Sequence, residues 1–215
     1  MDVLRLKAGD GVLAFNGRDG EWRCALSQLS KKLWGLTPEE FSRSQTPPGD
    51  LHYLFAPLKR ARLDYMVQKA VEMGVSKLQP VLTQHTQSER VNGERMRANA
   101  IEAAEQCGIL SVPEVEPPVS LDVALKGWDA TRKLIYCDEQ EASRDPIGSL
   151  GGVESGPVAV LIGPEGGFSD RERNRLLAQS FVVPLSLGPR IMRADTAAVA
   201  VLALVNAVLG DWRRP

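Results

Sequence analysis

The amino-acid sequence predicts an α/β protein in which a mainly parallel sheet follows a small N-terminal β domain. From residue 51 onward, apolar strand-like segments alternate with segments of helical periodicity, which is the order that builds a parallel sheet with crossover helices. The run Val158–Ile162 is apolar throughout, as expected of a strand covered on both faces. Near the N-terminus the apolar residues recur at every second position instead, which is typical of antiparallel strands.

The first 47 residues predict a β-hairpin. Strands at 12–15 and 21–26 flank the glycine-containing turn 16–20, and Trp22, Cys24 and Leu26 alternate with the residues between them. Little chain precedes the first strand, so we expect this small domain to lack its first segment. The polar, proline-containing stretch 37–50 predicts a linker. We therefore assign residues 1–47 to the β domain and residues 48–215 to the α/β domain.

The α/β part begins with alternating elements. We predict strands at 52–56, 78–82 and 134–137, a basic loop at 57–62, helices at 63–74 and 92–108, and a loop-rich stretch at 141–156. Gly74 and Gly108 sit where the two helices end. The inner stripe of the second helix includes Met96 and Cys107.

The last elements carry clearer signals. Ser169 and Glu172 have the spacing of a capping box, which predicts a helix from Asp170. A strand at 182–187 contains a proline, which indicates an edge position or a bulge. The final helix, 194–209, has no polar face, so it should be buried in the core or against another subunit.

Composition limits the function classes. At 215 residues, the chain could form one large domain or an ordinary domain with a small companion. Its net charge of −1 excludes a global field that attracts nucleic acid, so RNA binding requires a local basic patch. The longest apolar helix is too short to span a bilayer, and the start lacks the regions of a signal peptide. Cys24, Cys107 and Cys137 have neither metal-site nor disulfide spacing and indicate small buried thiols in a cytoplasmic protein.

Two stretches near the end of the chain, 161–170 and 185–196, form the candidate ligand site. They read Leu-Ile-Gly-Pro-Glu-Gly-Gly-Phe-Ser-Asp and Leu-Ser-Leu-Gly-Pro-Arg-Ile-Met-Arg-Ala-Asp-Thr, and each runs from an apolar strand through glycine and proline into a helix. Neither has the Gly-Lys-Ser/Thr ending of a phosphate-binding loop or the Gly-x-Gly-x-x-Gly dinucleotide fingerprint. Two such loops at one edge of a parallel sheet are a usual place for a cofactor.

These stretches resemble the ribosomal small subunit methyltransferase E family of the SPOUT superfamily. Gln68-Lys-Ala-Val-Glu-Met-Gly74 is similar to the family's Gln-Lys-Ala-Thr-Glu-Leu-Gly helix, and Ile101-Glu-Ala-Ala-Glu-Gln106 to its second characteristic helix. The similarity runs in order from about Val3 to Trp212. It implies a PUA-like N-terminal β-barrel, a C-terminal deep trefoil knot, and a homodimer whose site is completed across the interface.

The resemblance implies that S-adenosylmethionine lies bent in the knot, held mainly by backbone groups of the two stretches, with no metal. The residues that it implies for cofactor binding are Leu161, Ile162, Gly163, Glu165, Gly166, Gly167, Ser186, Leu187, Gly188, Ile191, Met192, Thr196 and Ala197. Two positions depart from the family pattern. Asp195 stands where the family usually has Glu, and His85 stands where an Arg is common, which would weaken phosphate contact at neutral pH.

Arg193, Asp195 and Glu165 are the candidate catalytic residues. Arg193 could stabilise negative charge on the uracil carbonyl oxygens, or it could anchor the last helix to a carboxylate. Asp195 could act in the site or be the N-cap of that helix. Glu165 could orient the amino end of the cofactor, act as a base or fix its own turn. His85 is a further candidate proton acceptor, although a lone histidine is usually structural.

The candidate RNA contacts are basic residues on two predicted segments: Lys59, Arg60, Arg62, Lys69, Arg90, Arg95 and Arg97. Such residues form a binding site only if they converge on one face. Lys69 and Glu72 are three residues apart on one helix, so they could instead pair on a solvated face.

The sequence therefore predicts a homodimeric, S-adenosylmethionine-dependent enzyme that methylates N3 of a uridine in 16S rRNA of the small ribosomal subunit. Two alternatives stay open. One is another SPOUT methyltransferase that acts on tRNA or on a ribose 2′-oxygen. The other is an RNA-binding module without catalysis, which cofactor binding would distinguish from the enzymes.

Overall fold

A computed structural model describes residues 6–87, 90–142 and 145–213. The chain divides into two units, Met1–Pro47 with Gly108–Val112, and Pro48–Cys107 with Pro113–Pro215. That these units are independent domains separated at residue 47 stays a prediction. The expectation that the small domain lacks its first segment also stays a prediction. None of the helices in the described ranges has the length and apolar character needed to cross a bilayer.

The smaller unit is built on an antiparallel sheet in the order β1-β2-β3. Its strands are β1 (Gly11–Phe15), β2 (Glu21–Gln28) and β3 (Trp34–Arg43). Pairing of β1 with β2 confirms the predicted hairpin. Cys24 and Leu26 are buried, at 3% and 5% exposure, as their period-two spacing predicts.

The predicted linker at 37–50 is wrong for residues 37–43, because strand β3 occupies them. The strand lies at the sheet edge and most of its side chains are exposed, so its polar composition reflects solvation. An edge strand leaves one row of backbone groups unpaired, which accommodates Pro38. Glu21 fixes the end of β3 by accepting from the Ser42 hydroxyl at 2.9 Å and from Arg43 Nε and Nη2 at 3.1 and 3.0 Å.

The larger unit is a sheet flanked by helices. Its strands lie in the order β10-β8-β9-β4-β5-β6, with β7 also paired to β5, and every pairing described within this unit is parallel. The elements are β4 (Leu51–Phe55), α1 (Arg60–Glu72), β5 (Lys77–Leu82), α2 (Gly93–Cys107), β6 (Glu114–Val115), β7 (Val119–Ser120), α3 (Leu121–Leu125), β8 (Lys133–Cys137), α4 (Pro146–Gly151), β9 (Val158–Ile162), α5 (Asp170–Leu177), β10 (Val182–Leu185) and α6 (Ala194–Val208), followed by a 3₁₀ turn at Asp211–Arg213. This order confirms the predicted α/β class.

Several strong sequence signals are confirmed. Strand β9 lies between β8 and β4, and all of its residues are buried, which is why it is apolar throughout. Strand β10 is at the edge, where Pro184 removes no essential ladder hydrogen bond. Helix α5 begins at Asp170 after the capping box of Ser169 and Glu172.

Other local predictions are wrong. Helix α1 begins at Arg60, inside the predicted basic loop, because arginine and alanine are good helix formers after Pro57. Helix α4 lies in the stretch predicted as loop: Asp145 caps it by accepting from the Gly148 N–H, and a proline occupies its first turn. Cys107 is exposed, since the buried stripe of α2 ends at Ala104.

His52 on β4 makes the stability of the larger unit dependent on pH. Its side chain is 22% exposed, and burial lowers the pKa of His52 to about 4. The surrounding charges act in both directions: Arg132 and Lys77 lower this pKa, whereas Asp50 and Glu114 raise it. Between the ordinary pKa of 6.5 and the folded-state value, the unfolded chain takes up a proton that the folded chain does not. The stability that neutral His52 contributes is therefore fully present above this pH window and is lost as the pH falls through it.

We expect acidification from about pH 6.5 to about pH 5 to reduce the free energy of unfolding by about 2 kcal/mol more in the wild type than in His52→Gln. Urea unfolding of both proteins at the two pH values measures this difference. Equal losses in the two proteins would show that other groups carry the acid sensitivity.

Candidate functional site

The ends of three neighbouring strands form a cavity. Strands β8, β9 and β10 are adjacent and parallel, so the loops after them lie at the same edge of the sheet. The cavity there has a volume of about 220 Å³. Its lining comes from 136–141, 162–165, 167–168 and 185–192, together with Arg173, Ala194 and Ala197. The two predicted stretches therefore meet, and a third loop, after β8, joins them.

Glycines shape the loop after β9. A Cβ atom on Gly163 would lie 2.5 Å from Phe168 Cε2, a distance that real Cβ atoms do not adopt. Gly167 has a φ of +70°, which favours glycine, and its N–H donates to the Pro164 carbonyl oxygen at 2.9 Å. Phe168 packs edge-on against Tyr136, with ring centroids 5.2 Å apart. The loop thus needs glycine to turn and to pack closely against its own aromatic side chain.

The loop after β5 supports this glycine-containing loop. His85 Nδ1 lies 3.0 Å from the Gly167 carbonyl oxygen, and since a carbonyl oxygen only accepts, Nδ1 is the donor. Gln84 N–H donates to Oε1 of the buried Glu172 at 2.8 Å, whose Oε2 accepts from the Ser169 hydroxyl at 2.8 Å. His85 therefore has a structural contact, and its role as a proton acceptor stays a prediction.

The cavity wall contains an ion pair that the sequence analysis missed. Asp138 Oδ2 accepts from Arg173 Nε at 2.9 Å, and the Asp138 side chain is 2% exposed. Its Oδ1 accepts from the Gln140 N–H at 3.1 Å. The hydrogen bond to Asp138 raises the pKa of Arg173 further above its already high ordinary value, so this residue stays charged. The pair joins the loop after β8 to helix α5.

The lining is rich in carboxylates. Asp138, Glu139, Glu141 and Glu165 all border the cavity, together with Arg173 and Arg190. Carboxylates therefore outnumber cations in the lining, which suits a ligand that carries positive charge. Cys137 also borders it, but burial raises the pKa of the Cys137 thiol to about 12, so the thiol stays protonated and is no nucleophile. In the described ranges, no group of three or more His, Cys, Asp or Glu side chains could hold a metal ion.

Most residues implied for cofactor binding line this cavity: Ile162, Gly163, Glu165, Gly167, Ser186, Leu187, Gly188, Ile191, Met192 and Ala197. Three do not. Leu161 is fully buried within β9, Gly166 faces His85, whose Cβ would lie 3.4 Å from a Cβ on this glycine, and Thr196 is exposed on α6. Ile191 lines the cavity although its exposure is 88%.

The three candidate catalytic residues occupy different environments. Glu165 Oε1 pairs with Arg62 Nη1 at 2.5 Å. Arg193 is exposed and pairs with no carboxylate of the described residues, so its interpretation as an anchor of α6 has no support. The N-cap predicted at Asp195 is wrong, because Arg193 occupies the N-cap position and Asp195 lies in the first turn. Its Oδ1 accepts from the Thr196 N–H at 3.0 Å. A negative charge in the first turn also interacts favourably with the positive end of the helix dipole.

The candidate RNA contacts divide into groups. Lys59 and Arg62 line a shallow depression together with Ala61, Gln87, Glu165 and Arg193. Lys69 pairs with Glu72 at 2.7 Å, which confirms the alternative of a surface pair. Arg95 Nη2 lies 2.6 Å from Asp64 Oδ2, so its charge is also engaged. The remaining three, Arg60, Arg90 and Arg97, are exposed.

Comparison with known proteins identifies the family. A family model for an RNA methyltransferase domain matches residues 45–206, and one for an RNA methyltransferase PUA domain matches residues 1–33. Ribosomal RNA small subunit methyltransferase E of Rickettsia conorii is 30% identical over 205 residues, which cover 95% of this chain and 83% of the relative. The chain belongs to the ribosomal RNA small subunit methyltransferase E family. The resemblance predicted from the sequence is confirmed, and the chain is an RNA methyltransferase.

Solved structures share the fold of this chain. The small subunit methyltransferase E of Neisseria gonorrhoeae, bound to S-adenosyl methionine, is 25% identical with a TM-score of 0.85, and the match covers 98% of this chain and 88% of the other. A methyltransferase of Legionella pneumophila in complex with the cofactor SAM is 31% identical with a TM-score of 0.78, covering 97% and 87%. These similarities confirm the predicted α/β fold with its PUA-like N-terminal part, whereas the trefoil knot itself stays a prediction.

Proposed function

We propose that this chain transfers the methyl group of S-adenosylmethionine to N3 of a uridine in 16S rRNA of the small ribosomal subunit. The observation that carries the proposal is the cavity formed by the two glycine-containing loops. The chain matches two solved methyltransferase structures with bound S-adenosylmethionine over almost its whole length. The choice of uridine N3 comes from the family resemblance, since the loops themselves do not read the target base.

The cavity fits the proposed cofactor. S-adenosylmethionine supplies a methyl group on a sulfonium centre, together with a second positive charge on its ammonium group. The carboxylates of Glu139 and Glu165 border the cavity and would attract these positive groups electrostatically. Its apolar side includes Leu187, Met192 and Ala197, which suits an adenine ring, and glycines expose backbone N–H and C=O groups that can hydrogen-bond its edges.

We assign distinct roles to the three candidate catalytic residues. Deprotonation of N3 places negative charge on the uracil carbonyl oxygens, and Arg193, whose charge no described carboxylate neutralises, stabilises it. Glu165 orients the amino end of the ligand. Asp195 holds the first turn of α6 through its hydrogen bond to the Thr196 N–H and so keeps Arg193 in place.

We also propose a homodimer that acts on the small subunit. Helix α6 buries one apolar stripe that includes Val201 and Val205, but Val199, Ala203 and Leu204 on the same helix are only half-buried. A second apolar stripe on a surface helix suits contact with another copy of the chain. This proposal explains why the sequence of α6 lacks a polar face.

The deciding experiment maps the methylated nucleoside. The protein is incubated with labelled S-adenosylmethionine and, separately, with unmodified small subunits, naked 16S rRNA and tRNA. We expect label at N3 of a uridine in 16S rRNA. Label on a ribose oxygen or only in tRNA would contradict the target, and the absence of S-adenosylmethionine binding would favour an RNA-binding module without catalysis.

A further inference from the structure

We infer that the shallow depression lined by Lys59, Ala61, Arg62, Gln87, Glu165 and Arg193 binds the target nucleotide, taking its phosphate and its base side by side. This inference rests on the proposed function and deepens it, because it locates the acceptor. The depression is hereafter called the basic depression. Its members come from the N-cap and first turn of α1, from the loop after β5, and from both glycine-containing stretches.

The basic depression adjoins the cofactor cavity. Glu165 borders both, so one carboxylate forms part of the boundary. Arg193 has an extended backbone, with φ −66° and ψ 150°, whereas its neighbours Met192 and Ala194 line the cofactor cavity. Because Arg193 lines the depression and does not line the cavity between these two neighbours, the chain presents Arg193 to the depression and its neighbours to the cofactor cavity. A methyl acceptor must lie next to the methyl donor. The basic depression adjoins the cofactor cavity and is open to solvent, so it can take such an acceptor.

The charge of the basic depression suits a phosphate. Three cations and one carboxylate border it, in a chain whose net charge is −1. Arg62 is paired with Glu165, but Lys59 and Arg193 have no ion-pair partner among the residues that the structure describes. By contrast, Lys69 and Arg95 are engaged by carboxylates. Two cations without an ion-pair partner among the described residues therefore lie together at the boundary with the cofactor cavity.

Gln87 adds a group that can read a base. Its amide N–H₂ can donate to a uracil carbonyl oxygen, and its exposed side chain borders the same depression as the cations. A nucleotide withdrawn from a base stack presents its carbonyl edge and its phosphate together. We therefore assign the phosphate to Lys59 and Arg62, and the carbonyl edge to Gln87 and Arg193.

Uridine 5′-monophosphate is the probe for this site, and binding is measured without turnover. The protein is saturated with S-adenosylhomocysteine, and the nucleotide is titrated while NMR chemical shifts are followed. We expect Lys59→Ala to weaken binding of uridine 5′-monophosphate about tenfold, as for a lost charged hydrogen bond, and to leave binding of uridine unchanged. Gln87→Ala should weaken binding of both ligands about threefold to tenfold.

Lys126→Ala is the matched control, because Lys126 is exposed at the end of α3 and does not border the depression. It removes the same charge from the same unit, and we expect it to leave both affinities unchanged. Equal affinities in the wild type, Lys59→Ala and Gln87→Ala, or no nucleotide binding by the wild type, would overturn the inference. Normal methylation of uridine N3 with these results would refute the site and leave the proposed function intact. Nucleotide binding as expected without N3 methylation would refute the function and leave the site.

Discussion

Gly163→Val is expected to weaken S-adenosylmethionine binding by about a hundredfold or more, because a side chain at this position displaces the loop that forms the cofactor cavity. Its Cβ would lie 2.5 Å from Phe168 Cε2 and 2.8 Å from Cδ2. Phe168 in turn packs against Tyr136, so the ring cannot move away without disturbing the sheet edge. Isothermal titration calorimetry measures the affinity, and size-exclusion chromatography and circular dichroism establish whether assembly and folding are retained.

Gly151→Val is the control for this substitution. Gly151 lies in α4, outside the cavity, and a Cβ there would meet nothing within 4 Å. We expect the control to bind S-adenosylmethionine as the wild type does. Combining Gly163→Val with Phe168→Ala should restore part of the affinity, because it removes the ring that the new side chain meets. Wild-type affinity in Gly163→Val would remove this loop from the cofactor site.

Arg193→Ala should lower kcat for methylation of small subunits by about a hundredfold to a thousandfold, the effect of removing one donor to a developing negative charge. Arg193 borders the basic depression and not the cofactor cavity, so the affinity for S-adenosylmethionine should change by less than about twofold. Single-turnover rates with saturating small subunits, together with calorimetry for the cofactor, separate the two effects.

Arg193→Lys tests the geometry of this interaction. It keeps the charge but loses the planar fork of donors, so it should recover only part of the rate. If Arg193→Ala raised KM for the small subunit with kcat unchanged, the residue would bind RNA without acting on the reacting base. If it abolished cofactor binding as well, the separation between cavity and depression would be wrong.

The elements that the sequence predicted well are those whose signals are local. The capping box of Ser169 and Glu172 determines where α5 begins, because both hydrogen bonds lie within four residues. The continuous apolar run of β9 follows from burial on both faces. Strand β3 was missed because an exposed edge strand has the composition of a loop, and only its pairing with β2 distinguishes the two.

The site was predicted in part for a similar reason. The two glycine-containing loops carry recognisable patterns, and the structure brings them together beside the ends of β9 and β10. The residues 136–141 belong to the same cavity, but no pattern marks them, and they enter it because β8 lies between those two strands. The ion pair between Asp138 and Arg173 joins residues 35 positions apart, beyond the reach of any local spacing argument.

The sequence by itself determined the alternation of strands and helices, the two loops that turn on glycine, and the family, since these depend on residues close together in the chain. The tertiary structure decided which strands are neighbours, and therefore which loops share one edge of the sheet. It also decided that Lys69 and Arg95 are paired while Lys59 and Arg193 face one depression. Glycine turns of this kind occur in many chains, and here they become a candidate methyl-donor site because parallel pairing places three strand ends side by side.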